Sequence, residues 1–151
     1  MKNVLIFAAF LYSNFFIAQS LLVPPENVVM AFEKQYPNKK PIWTLELGKN
    51  DEIKFVAEFK ATPQIKEFVI YDSNGVFKVD KKQISISKLS LKGQTYLKKN
   101  YTLKAISQIL AVVDDQNQAT FIAEVKKDKK MYNVVLNKDG EFIKRIEIHL
   151  I

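Results

Sequence analysis

The sequence predicts an α+β fold: a tandem duplication of one unit, a helix followed by four antiparallel strands, with both helices packed on one face of the sheet. Three matches in the same order carry this expectation. Phe55-Val56-Ala57-Glu58-Phe59-Lys60 returns as Phe121-Ile122-Ala123-Glu124-Val125-Lys126. The stretch from Val69 to Phe77 returns as Val134 to Phe142, and Phe32 to Tyr36 is matched by Leu97 to Tyr101. Ordered matches at a nearly constant spacing are the mark of an internal repeat, with units of about residues 24–85 and 86–151.

Each element has a local reason. Pro24-Pro25-Glu26 suits a first helical turn, where proline loses no bond and glutamate complements the helix dipole. Val28, Ala31, Phe32 and Tyr36 then fall on one helical face, and Pro37-Asn38 stops the helix. Pro41 to Leu47 reads as a strand containing Trp43, and Gly48 to Asp51 as a turn. Ile53 to Lys60 alternates, with Phe55, Ala57 and Phe59 on one face and Val56, Glu58 and Lys60 on the other; Ala61-Thr62-Pro63 breaks it. Ile65 to Tyr71 is a strand, Asp72-Ser73-Asn74-Gly75 a hairpin turn, and Val76 to about Ile84 a fourth strand.

In the second half Ser90 caps a helix from Leu91 to about Asn100, with Tyr96, Leu97 and Tyr101 inward. Gly93 weakens that helix by roughly 1 kcal/mol relative to alanine. Strands follow at Lys104 to Val113, Ala119 to Lys126, Met131 to Leu136 and Glu141 to Leu150. Their turns are Asp114 to Gln118, Lys127 to Lys130 and Asn137-Lys138-Asp139-Gly140. Short hairpins favour antiparallel pairing, so one continuous or nearly continuous sheet is expected.

Residues 1–20 read as a signal peptide rather than as part of the fold. Lys2 is followed by the apolar run Val4 to Leu11, a polar break at Tyr12-Ser13-Asn14, a second apolar stretch, and small residues at Ala18-Gln19-Ser20. Cleavage leaves Leu21 or Leu22 near the mature end, or exposes Gln19. The break at Tyr12 to Asn14 argues against a membrane anchor, since a spanning helix needs about 20 continuous apolar residues. Residues 21–151 then form a single domain, expected in the periplasm or secreted, with no transmembrane anchor after cleavage.

The chain has no cysteine, which excludes disulfides, thiolate metal sites and thiol nucleophiles. Its single histidine, His149, cannot make a zinc site with no cysteine beside it. No serine sits in a nucleophile-elbow glycine pattern. Glu58 and Glu124 are each followed two residues later by a lysine on the same strand face and read as members of a cross-strand or same-face ion pair rather than a catalytic dyad. The turns Asp72 to Gly75 and Asn137 to Gly140 lack the downstream glutamate of a calcium loop. No enzyme activity, cofactor or metal is expected.

The net charge of +7 falls by one with the loss of Lys2. Lysines cluster at Lys78 to Lys82, Lys98-Lys99 and Lys126 to Lys130, but Arg145 is the sole arginine. Bidentate base or phosphate recognition wants arginine, so nucleic acid is not the expected partner.

Ala31-Phe32-x-x-x-Tyr36-Pro37, Trp43 a few residues later, Ala57-Glu58-Phe59 and the turn Asp72-x-Asn74-Gly75 resemble the beta-lactamase-inhibitor-like, PepSY-like family of exported bacterial proteins. The resemblance implies the helix-plus-antiparallel-sheet unit and little about activity. The second half departs from it: Gln108 stands where the first has Trp43, and Thr102 replaces Pro37.

The functional expectation is therefore an exported, non-enzymatic binding module, with protein inhibition as its sharper form. It would engage an exported or envelope protein through an open sheet face and hairpin loops, with Trp43, Tyr71, Phe77, Tyr132 and Phe142 as binding residues. Buried aromatics dominate interface energetics. The alternative is that Trp43 packs under the first helix. The alternative function is a periplasmic small-ligand or envelope-surface binding protein, which calls for a closed apolar pocket between helices and sheet.

Overall fold

The computed structural model describes residues 22–47 and 52–148. The signal segment, the turn from Gly48 to Asp51, and His149 lie outside the described residues. The order of elements is α1 (Glu26–Gln35), β1 (Ile42–Leu47), β2 (Ile53–Thr62), β3 (Ile65–Asp72), β4 (Phe77–Ile84), α2 (Leu91–Asn100), β5 (Ile106–Asp114), β6 (Ala119–Lys127), β7 (Lys130–Asn137) and β8 (Phe142–Ile148). Short 3-10 turns at Ile86–Lys88 and Leu103–Ala105 flank α2.

All eight strands pair antiparallel in sequence order within one sheet. Strands β4 and β5, in the middle of the chain, pair from Val79↔Asp114 to Ile84↔Ile109. This corrects the expectation of a tandem duplication. The α+β class stands, but the architecture is one uninterrupted eight-stranded sheet carrying two helices, not a helix-plus-four-strand unit made twice. The sequence matches overstate the equivalence of the halves, and register shows where. Trp43 lies opposite Ala57, whereas Gln108, its expected counterpart, lies opposite Glu124. A bulge between Ile106 and Gln108 shifts the alternation, so the two side chains leave the sheet on opposite sides.

Helix α1 starts at Pro25 with Glu26 in its first turn and ends with the Tyr36 N–H still bonded to the Phe32 carbonyl. Helix α2 is capped by Ser90, whose Oγ accepts the Gly93 N–H at 3.2 Å, which satisfies one of the four free amides of a helix start. Under α1, Val28 and Phe32 pack with Phe55, Ala57, Phe59, Val69 and Tyr71. A second core joins Leu97 and Tyr101 to Ile109, Ala123, Val125, Val134 and Leu136. The cross-strand ladder Phe59, Glu67, Lys82, Ala111, Phe121, Leu136 runs through both regions. Directly paired residues share a face, so both cores lie on one side of the sheet. Each large side chain fully buried there contributes about 1.5–3 kcal/mol.

Between the cores this ladder turns polar. Glu67 is buried and pairs with Lys82 at 3.5 Å. Asp80, opposite Val69 and Val113, has one carboxylate oxygen buried with no hydrogen-bond partner.

Three hairpin turns use one device. Asp72 Oδ1 accepts from the N–H of Asn74 and Val76, Asp114 Oδ1 from Gln116 and Gln118, and Asn137 Oδ1 from Asp139 and Glu141. A side-chain oxygen thus bonds the backbone two and four residues on. The turns from Asp72 and Asn137 press on the helix starts: Asn27 Nδ2 donates to the Ser73 carbonyl at 3.1 Å, and Ser90 Oγ donates to the Asp139 carbonyl at 2.7 Å.

Candidate functional site

The five aromatics chosen from the sequence do not meet on an open face. Trp43 is half-buried and stands edge-on to Phe32 of α1 with ring centroids 5.5 Å apart, the packing that the alternative reading anticipated. Tyr71 is buried and its hydroxyl donates to Gln35 Oε1 at 3.0 Å, with Phe77 edge-on beside it. Tyr132 packs on the second core under the Arg145 guanidinium, which lies 4.7 Å from its ring centroid. Phe142 stacks on Tyr96 of α2 at 5.2 Å. All five belong to the helix-covered side, because period-two alternation places Tyr71 with Phe55 and Val69, and Tyr132 with Val134. Their assignment to an open face is corrected accordingly.

The other side of the sheet has no helix over it among the described residues. Its ladders are Thr44, Val56, Ile70, Val79; then Phe68, Lys81, Val112; then Gln83, Leu110, Ile122, Val135. The centre is therefore apolar. Ile70 is only 3%, Leu110 4% and Val135 8% exposed although no second layer covers them. Neighbouring side chains shield them, as they do where a sheet curls toward a face. Bulges at Lys60/Thr62, Ile70/Tyr71, Ile106/Gln108 and Val135/Leu136 supply extra twist.

At the middle lies a hollow of about 120 Å³ walled by Val56, Phe68 and Leu110, with Lys81, Gln108 and Glu124 at its rim. The charges around the face are largely matched within the chain. Lys66 bonds Glu58 at 2.6 Å, Lys81 reaches Glu46 at 3.9 Å, and Gln108 Nε2 donates to Glu124 Oε2 at 2.8 Å. Glu58 takes its cross-strand partner from β3 rather than from Lys60, and Glu124 takes an amide rather than Lys126. The face thus has an apolar centre and a polar rim whose charges are paired within the chain.

One sequence signal marks this face: Phe68-Val69-Ile70-Tyr71, Ile109-Leu110-Ala111-Val112 and Val134-Val135-Leu136 are apolar at successive positions. Such strands bury side chains on both faces.

No family model matches the chain, and none of the curated proteins does. Solved structures do. A candidate periplasmic protein from Bacteroides eggerthii superposes with a TM-score of 0.67 at 14% identity, over 84% of this chain and 91% of the other. A DUF2874 family protein from Bacteroides ovatus gives 0.64 at 18% identity, over 83% and 89%. A BLIP-like protein from Bacteroides fragilis gives 0.60 at 16% identity, over 85% and 89%. The likeness is one of fold: the eight-stranded sheet with two helices is a BLIP-like architecture.

No three metal-ligating side chains come together among the described residues, and Glu58 and Glu124 are each engaged by a neighbour. Lysines of the clusters are used in pairing too: Lys78 with Asp72 at 3.2 Å, Lys82 with Glu67, and Lys130 with Glu147 at 2.9 Å. One carboxylate is raised: burial, then the nearby Glu67, push Asp80 up to about 6 against the pull of Lys82. It faces the gap between the cores, on the side opposite the apolar patch. No described helix is long and apolar enough to cross a membrane.

Proposed function

We propose that the chain is an exported, non-enzymatic binding module whose uncovered sheet face docks an exported or envelope protein. The observation that carries this reading is the apolar centre of that face, where Val56, Phe68 and Leu110 wall a hollow of about 120 Å³, room for one partner side chain. Anchoring side chains in such hollows supply most of the binding energy of protein complexes. Inhibition of the docked protein is the sharper form of the proposal, supported by the BLIP-like fold. Kinship with PepSY-like proteins rests on the Ala31 to Pro37 motif and Trp43. Export rests on residues 1–20 and on the fold shared with a candidate periplasmic protein.

The test is cross-linking of residues 21–151 to envelope and medium fractions of the exporting cell. Wild type is compared with Phe68→Lys and Ile122→Lys on the uncovered face and Phe142→Ala on the other. One protein cross-linked by wild type and Phe142→Ala but lost in both lysine variants supports the reading. A partner indifferent to the lysine variants, or none for any form, sinks it.

A further inference from the structure

On the helix-covered side the two cores leave Lys82 and Ala111 between them, and a cleft of about 650 Å³ opens there to solvent. That volume lies inside the roughly 300–1,000 Å³ of small-molecule sites. Its two halves differ in chemistry. Ile65, Ile84, Ala111 and Phe121, all half-buried, make an apolar floor, while Lys88 and Gln64 stand exposed at its mouth. A second hollow of about 230 Å³ continues past Ile84 to Ile86, Leu103 and Ile106. The two hollows share Gln83 and Ile84, so the apolar floor of the first is continued by Ile86, Leu103 and Ile106 of the second.

The cations are not equivalent. Lys82 is already neutralised by buried Glu67 at 3.5 Å. Lys88 has no ion pair among the described residues. A cationic ligand would meet both lysines with only Glu67 and Asp80 to offset them, and Glu67 is taken. An anionic head beside Lys88 meets two lysines in the cleft lining and no acid, since neither Glu67 nor Asp80 lines it.

We propose that this cleft binds a free amphipathic carboxylate, its head on the Lys88 ammonium and its hydrocarbon body along Phe121, Ala111 and Ile84. Charge complementarity at one end and burial of apolar surface at the other define the class. The site lies on the face opposite the protein-docking patch, so it stands whether or not that patch has a partner.

The experiment uses decanoate below its micelle concentration, titrated into residues 21–151 by calorimetry and by amide chemical shifts. Decyltrimethylammonium and decanol serve as matched cationic and neutral probes. Saturable one-site binding of decanoate is expected, with shifts at Ser85, Lys88, Ala111 and Phe121. Lys88→Glu should weaken it at least tenfold with thermal unfolding unchanged, and Ala111→Phe should block the floor. Should Ala111→Phe fail to fold, Lys88→Glu and the two probes still decide. The proposal is overturned if either probe binds as tightly as decanoate, or if the shifts map to Val56, Phe68 and Leu110. Absence of saturation overturns it too, as does binding only to phosphatidylglycerol vesicles, which would assign the cations to a lipid surface.

Discussion

Gly93 of α2 and Gly140 of the β7–β8 turn meet backbone to backbone: a Cβ on Gly93 would lie 3.3 Å from Gly140 Cα. The glycine that weakens α2 by propensity is what lets the helix start settle onto that turn. Gly140 is the stricter of the two. Its φ is +85°, and a Cβ there would run into Ser90 Oγ and the Gly93 N–H, the two atoms of the helix cap. Gly140→Ala is expected to cost at least about 2 kcal/mol through strain and loss of the cap. Gly93→Ala, which regains helix propensity of about 1 kcal/mol, is expected to cost less. Urea unfolding of both variants checks the order; equal losses would refute it.

Asp80 makes stability depend on pH. Its carboxyl titrates at about 6 in the fold against an ordinary 3.8. Between those values the folded chain holds a proton that the unfolded chain has released, so stability falls as pH rises through that window. Above it the half-buried carboxylate stays ionised at a cost. Asp80→Asn is expected to flatten the slope between pH 4 and 6 and to be more stable than wild type at pH 7. Denaturation midpoints across that range test it, and a slope unchanged by the substitution would exclude Asp80 as the cause.

Asp72 acts in the opposite direction. Burial alone would raise its pKa, but the Val76 amide, the Lys78 ammonium and the Asn74 amide together lower it. Its contribution is present above the ordinary carboxylate value and is lost as pH falls through the lowered one. Asp72→Ala leaves the turn amides of Asn74 and Val76 without their acceptor and is expected to cost about 1–3 kcal/mol at neutral pH. The loss should shrink in acid, and thermal unfolding at pH 7 and pH 3 reads both parts.

The β6–β7 hairpin turns through Asp128 and Lys129 at φ of 51° and 66°. Two consecutive positive φ values describe a type I′ turn, whose favoured sequence is Asn-Gly. Lys129→Gly is expected to stabilise the chain by up to about 1 kcal/mol, since the left-handed conformation costs lysine more than glycine. A lowered denaturation midpoint would show that the lysine side chain supports the turn instead.

Much of this was legible in local chemistry. Ser90 reads as a cap, Asp72 and Asn137 open turns that need glycine three residues later, and the alternation of Phe55, Ala57 and Phe59 names the core side of β2. What could not be read is register. Nothing between Leu103 and Gln108 announces the bulge that parts Gln108 from Trp43, because a bulge is set by pairing with β6 and not by its own residues. The apolar character of the uncovered face was missed for a related reason. Aromatic size drew the choice to Tyr71 and Tyr132, yet face is decided by parity, which gave the uncovered side to Ile70, Leu110 and Val135.

The polar line of Glu67, Lys82 and Asp80 between the two cores has a mechanical consequence. On the helix-covered side, along that line, the halves are joined by the β4–β5 main-chain ladder and a polar row rather than by interlocked apolar side chains. A ladder of hydrogen bonds resists separation yet permits a change of twist, whereas a packed core resists both. The two faces of the sheet therefore differ at its middle: the bare face is bridged by apolar side chains where the helix-covered face is bridged by charge, so a change of twist would be resisted mainly from the bare side.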